Sequence, residues 1–245
     1  MKKFLTYIRI ETLLSIRSID GIFFGILMPL GLVALIAIVS GSTLTSEGYS
    51  FVDASFGSLI TVGICATAFM GIPLTIANYR EKKILKQFFI TPIRPSFILF
   101  IDTFLCACIS TISAIGVYLL LHFCWGFEIK GNVMMVIVSF YITMFAMYGI
   151  GIFMASVCRT QKVANLVCTI VYFPMLLLSG ATIPFEVYPS AIQEIARFLP
   201  LSVGIELLKT TSLNLPNTDF TMNMFYLIVL GIVSIVCSIK IFKWE

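Results

Sequence analysis

Residues 133–158 read VMMVIVSFYITMFAMYGIGIFMASVC, a run without one charged side chain. A helix rises about 1.5 Å per residue, so a run of this length crosses the roughly 30 Å of hydrocarbon in a bilayer. Its residues do not alternate apolar and polar at period two, which excludes a barrel strand. Backbone groups in hydrocarbon must then be satisfied within a helix. Five more uncharged runs carry the same reading: 22–39, 55–78, 103–121, 163–185 and 220–239, the third extending to a span over 97–122. The 245 residues are 59% hydrophobic and 11% charged, and the mean hydropathy is +1.04. An ordinary soluble domain has about 25% charged residues, so a water-soluble fold is excluded. The expected fold class is all-α and polytopic, one membrane domain over 1–245 with six transmembrane helices.

The basic residues set the orientation. With both termini inside, 13 of the 16 lysines and arginines fall on inner segments, and only Lys130, Arg197 and Lys209 fall outside. Seven of the 12 acids (Glu47, Asp53, Glu128, Glu186, Glu194, Glu206 and Asp219) lie on the outer side. This asymmetry predicts cytoplasmic N- and C-termini. Arg9, Glu11, Arg17 and Asp20 interrupt the chain before any apolar core begins, so the first run is read as a retained span rather than a signal peptide. Residues 1–20 place Phe4, Leu5, Ile8, Leu13 and Ile16 among charges at loosely helical spacing, as an interfacial helix does; a plain basic tail is the alternative. The seven cysteines lie in or beside apolar runs without a CxxC pair or zinc-like spacing, and predict neither a disulfide nor a metal.

The longest inner loop gives a short helix over 80–90, in which Ile84, Leu85, Phe88 and Phe89 make one apolar stripe beside Arg80, Lys82, Lys83 and Lys86. Thr91-Pro92 ends it. Such a helix either docks in the groove of a cytoplasmic partner or serves as a basic topology anchor against lipid headgroups. On the outer side, residues 190–209 read as two amphipathic helices separated by Pro200. Ile192, Ile195, Ala196 and Leu199 stripe the first, which Ser190 and Gln193 open as a capping box. Leu201, Gly204, Ile205 and Leu208 stripe the second, with Ser202, Glu206 and Lys209 opposite. At about ten residues each they reach only half the hydrocarbon thickness, so they are expected to be half-inserted or interfacial, as a hairpin near a translocation exit or as surface decoration.

These segments together resemble the permease subunits of type 2 ATP-binding-cassette (ABC) exporters, a family that includes drug, polysaccharide and lantibiotic export permeases. The residues that carry the resemblance are the amphipathic N-terminus, the loop from Arg80-Glu81-Lys82-Lys83 through Phe88-Phe89-Ile90-Thr91-Pro92-Ile93, and Ser179-Gly180 through Pro184, Pro189 and Leu199-Pro200-Leu201 to Glu206-Leu207-Leu208-Lys209. The chain departs from the family at Glu81-Lys82-Lys83, where Glu-Arg or Glu-Glu-Gly is common. The resemblance implies a coupling helix at Arg80, Glu81, Ile84, Leu85, Phe88 and Phe89 resting on a separate ABC ATPase subunit. It implies an outer re-entrant region at Gly180, Pro184, Pro189, Ile195, Pro200, Ile205 and Glu206, and a pathway built with a second permease subunit in a bacterial plasma membrane. No stretch matches the glycine-rich Lys-Ser/Thr loop for nucleotide phosphates. The chain is therefore expected to be no enzyme and to hold no cofactor, with ATP and magnesium bound by the partner, and no nucleic acid is expected among its partners.

Two rival classes make other demands on the sequence. A secondary transporter or channel needs intramembrane ionisable groups, and Asp102, expected near the interface at the start of span three, comes closest. An intramembrane enzyme needs a nucleophile and base or a metal cluster, and the only histidine, His122, stands without such company. Gly21 and Gly25, or Gly149 and Gly151, mark close helix packing or a dimer seam. Pro29, Pro73 and Pro174 fall within spans. Apolar spans suggest a lipophilic or amphipathic cargo such as a drug, a lipid-linked molecule or an antimicrobial peptide.

Overall fold

The computed structural model describes residues 23–40, 51–84, 95–181, 188–215 and 219–242. The expected interfacial helix over 1–20 lies outside the described residues, as do Leu85, Phe88, Phe89 and Pro184. Every described element is helical. Helix α1 comprises a π-helical turn, Phe23–Leu27, followed by Met28–Ser40. Helix α2 runs as Phe51–Ala66, a second π-helical turn Thr67–Gly71, and Ile72–Glu81. Then come α3 (Pro95–Trp125), α4 (Val133–Val157), α5 (Gln161–Leu178), α6 (Ser190–Arg197), α7 (Pro200–Leu213) and α8 (Phe220–Ile241). Among the described residues, α2, α3, α4, α5 and α8 are each long and apolar enough to cross a bilayer, and α1 carries a shorter apolar stretch, Gly25–Leu35.

The bundle is built around α2. Its most apolar window is 78% buried, against 17% for α8, so α2 forms the centre and α8 part of the wall. Helix α8 packs along α4, α7 lies on α2 and α4, and α5 covers the later part of α2. Hydrocarbon gives no hydrophobic force between helices, so close approach of small residues has to hold them. A Cβ on Gly149 would stand 2.9 Å from the Gly231 carbonyl oxygen of α8, and one on Gly151 would meet the Ala68 carbonyl oxygen of α2. Both glycines thus mark packing inside the chain. Large apolar side chains cover the outside instead: Leu166, Ile170, Phe225 and Ile239 are each over 60% exposed.

Three boundaries differ from the sequence reading. The fifth span stops at Leu178, not 185, because Gly180 takes φ +83° just past the helix end, a left-handed conformation that glycine adopts without cost. Helix α7 runs four residues past Lys209 to Leu213 and ends at Asn214 in the left-handed region. It is packed inward against α2 and α4. Leu201, Val203, Ile205, Leu207, Leu208 and also Ser202 are buried, leaving Glu206 exposed. Gly204 sits against Thr143 of α4, and Gly57 of α2 accepts the backbone of α7 at Lys209, so both neighbours offer small residues there. Helix α6 begins after Pro189 rather than with Ser190 as its cap, and Gln193 Nε2 donates to the Tyr188 carbonyl at 2.9 Å.

Candidate functional site

The cytoplasmic-side turn of the sequence reading begins where α2 ends. Lys82 N–H donates to Asn78 O and Lys83 N–H to Arg80 O, and Lys83 has φ 55°, so the chain leaves the helix by a left-handed turn just after Glu81. Arg80 and Glu81 therefore belong to α2 and not to a separate loop helix. Arg80 is only 9% exposed. Its Nη1 donates to the carbonyl oxygens of Ala155, at 3.2 Å, and Cys158, at the end of α4, and its guanidinium lies 5.1 Å above the ring centre of Phe242. The Glu81 carboxylate accepts the Gln161 N–H at 2.9 Å, at the start of α5. Each charge meets the helix end of opposite sign: a cation where α4 leaves carbonyls unpaired, an anion where α5 leaves N–H groups unpaired. One dipeptide thereby fastens α2 to α4, α5 and α8.

Midway along the bundle the π-helical turn of α2 carries a second junction. Thr67 Oγ1 lies 3.0 Å from the carbonyl oxygens of both Gly63 and Ile64, 2.6 Å from Ser110 Oγ and 2.9 Å from Tyr148 Oη, and the last two are 2.9 Å apart. With the Thr67 proton committed to its own helix, Ser110 and Tyr148 supply the protons of the trio. Three spans are joined by hydroxyls where no water can replace them, at a bulge type that recurs at functional sites.

The far end holds the outer segment of the sequence reading. Tyr188 donates to Leu177 O, and Tyr226 of α8 donates to Phe198 O at 2.8 Å, so α6 is tied at its ends. Burial raises the Tyr188 phenol above its ordinary pKa. Lys130 and Gly131 N–H groups both donate to Ser212 O at the end of α7, and Lys130 Nζ pairs with Asp53 at 3.7 Å.

Compared with known proteins, residues 2–213 match the profile of the family described as ABC-2 type transporter, which covers α1 through α7. The chain belongs to the ABC-2 type transporter family. It is similar to Nodulation protein J of Rhizobium leguminosarum bv. viciae, 36% identical over 75 residues, 31% of this chain and 29% of that protein. It is also similar to the inner membrane transport permease YhhJ of Escherichia coli (strain K12), 27% identical over 96 residues, 39% of this chain and 26% of that protein. The matched segments thus span less than a third of each relative's length.

Of the site residues expected for this ABC-2 chain, Arg80 and Glu81 come together at the junction where α2 ends, with Ile84, half-buried, just beyond. Gly180, Pro189, Pro200, Ile205 and Glu206 lie at the opposite end, with Pro200 opening α7 and Glu206 exposed on it. Ile195 is 63% exposed on α6, whose Ala196 is buried. One expectation is corrected, that for Asp102. Asp102 lies inside α3 at 5% exposure rather than in reach of headgroup water, because that helix already begins at Pro95. The sequence reading missed Thr67, Ser110 and Tyr148. Hydroxyls are common in membrane helices, and no spacing within one helix links residues on three.

Proposed function

We propose that this chain is the transmembrane permease subunit of an ABC exporter, which moves a lipophilic or amphipathic substrate out of the cell and is driven by a separate ATPase subunit. The observation that carries the reading is the family match over residues 2–213. A second permease subunit completes the pathway, ATP and magnesium are held by the partner, and the charge asymmetry puts both termini in the cytoplasm of a bacterial cell. On this reading the loop after Glu81 rests on the ATPase through Ile84, Leu85, Phe88 and Phe89. Displacement of that loop is passed on by Arg80 and Glu81, whose bonds bind the end of α2 to three other spans. The Gly180–Glu206 region forms the outer side of the pathway.

The test is the double variant Leu85→Ala/Phe88→Ala. Two anchors each worth about 2 kcal/mol should lower association by orders of magnitude while leaving membrane abundance unchanged. Undiminished transport in that variant would reduce the loop to a topology anchor. One observation favours a secondary transporter instead, the burial of Asp102 within α3, since intramembrane acids mark ion pathways. If Asp102→Asn abolishes transport while ATP hydrolysis and assembly persist, that alternative gains over the exporter.

A further inference from the structure

We propose that the cleft between α3 and α4, at the end of the bundle away from Arg80, binds an amphipathic organic cation. The cleft encloses about 630 Å³. Phe56, Ile60, Val136 and Phe140 form a floor of side chains at most 6% exposed, whereas Ile115 and Ile137 at its edge are 54% and 45% exposed. It therefore opens at the periphery of the bundle, where a molecule dissolved in the membrane can enter sideways.

One end of this apolar space is built for positive charge. Among the described residues that line it, Glu128 is the only carboxylate, and none is a lysine or arginine. Lys130, the nearest base in sequence, is engaged with Asp53 at 3.7 Å. His122 Nδ1 lies 2.9 Å from Phe127 O. A carbonyl oxygen only accepts, so Nδ1 carries the hydrogen, and in the neutral ring Nε2 is left with its lone pair. Tyr118 stacks on His122 with ring centres 5.8 Å apart and meets Phe56 edge-on at 6.2 Å. A carboxylate, an imidazole lone pair and aromatic faces all attract a cation. A phosphate or carboxylate head would meet Glu128 at a cost, so an anionic lipid is the wrong occupant.

Beyond this polar end the walls are apolar, and Tyr141 also lines a second space of about 370 Å³ further along the same two helices. None of the described residues lining that space is charged. A cationic head at Glu128 with an apolar body directed along α3 and α4 toward Tyr141 satisfies both halves. As a binding site the cleft stands alone; as a transport site it rests on the exporter reading.

The two ions tetraphenylphosphonium and tetraphenylborate have almost the same shape and opposite charge, and separate this proposal from simple hydrophobic uptake. Binding of each is measured by equilibrium dialysis to the purified full-length chain in phosphatidylcholine nanodiscs, against empty nanodiscs. The phosphonium should bind saturably above the empty-disc level, and the borate should not compete. Glu128→Gln, at an exposed position that leaves packing intact, should weaken phosphonium binding about tenfold. Ile137→Trp, which fills the cleft from its rim, should abolish it without changing the melting temperature. Equal competition by the borate, or unchanged affinity in Glu128→Gln, overturns the proposal. The assay contains no ATPase, so failure here with ATPase association intact removes the site and spares the exporter reading. Saturable cation binding in a chain that associates with no ATPase leaves the site and removes the exporter reading.

Discussion

Replacing Arg80 by Ala tests whether this residue works inside the chain or on its surface. Its guanidinium makes charge-assisted hydrogen bonds to two carbonyl oxygens at the end of α4 and stacks over Phe242. Hydrogen bonds to a charged group contribute about 1.5–3 kcal/mol each, and a cation over an aromatic face about 0.5–2. Desolvation of the buried cation offsets several kcal/mol of that sum, which leaves a net loss of about 3 kcal/mol. For a chain of this size, 1 kcal/mol corresponds to roughly 2–4 °C in melting temperature, so Arg80→Ala should melt about 6–12 °C below the wild type. The assay is thermal unfolding of the purified protein in nanodiscs, followed by intrinsic fluorescence. Arg80→Lys should fall between the two, because an ammonium keeps the charge and can donate to the carbonyls but lacks the planar face that lies over Phe242. If Arg80 were a docking residue on the surface, Arg80→Ala would melt like the wild type and lose only its partner. A melting temperature within about 2 °C of wild type, well under the expected shift, refutes the internal role.

Four further outcomes follow from the packing, the hydroxyl trio, the hairpin and the charge distribution. Gly151→Val should cost about 1–3 kcal/mol by forcing α4 off the Ala68 carbonyl of α2, whereas Gly31→Ala, with nothing within 4 Å, should be neutral or slightly stabilising in the same melt. Tyr148→Phe should cost about 1 kcal/mol, and its combination with Thr67→Ala should be less than additive because the two share one hydrogen-bond network. Ile205→Asp should prevent stable folding while Ile195→Asp is tolerated in folding, judged by yield after size exclusion, since the two residues are 9% and 63% exposed. In a background without native cysteines, single cysteines at Ser46 and Asn217 should react with an impermeant thiol reagent on intact cells and one at Gln87 should not; labelling at Gln87 would invert the topology.

The spans were legible because burial in hydrocarbon removes charge from the sequence, and charge is easily counted. Val133–Val157 and Phe220–Ile241 depart from the expected runs by one or two residues. Helix ends were less legible where a single backbone angle decides them. Gly180 offered a clear stop inside an apolar run, but Lys83 turns the chain at φ 55° with a residue type that does not advertise it. Amphipathic spacing misled at α7 in one position: Ser202 on its polar side is buried while Glu206 stays exposed, and the glycines at 57 and 204 let the helix pack closely on α2 and α4. The candidate site was half legible. Arg80 and Glu81 stand out in the sequence as charges at the expected coupling turn, but their partners Cys158 and Gln161 lie 78 and 80 residues away and carry no pairing signal.

Coupling of this chain to an ATPase is tested by nucleotide hydrolysis in the complex isolated from native membranes through a tag on the full-length chain. An ATP-hydrolysing subunit should co-purify in fixed stoichiometry, and Leu85→Ala/Phe88→Ala, recovered in equal amount, should bring down neither the subunit nor the activity. Substrate movement by the wild-type chain in vesicles free of any ATPase would contradict it.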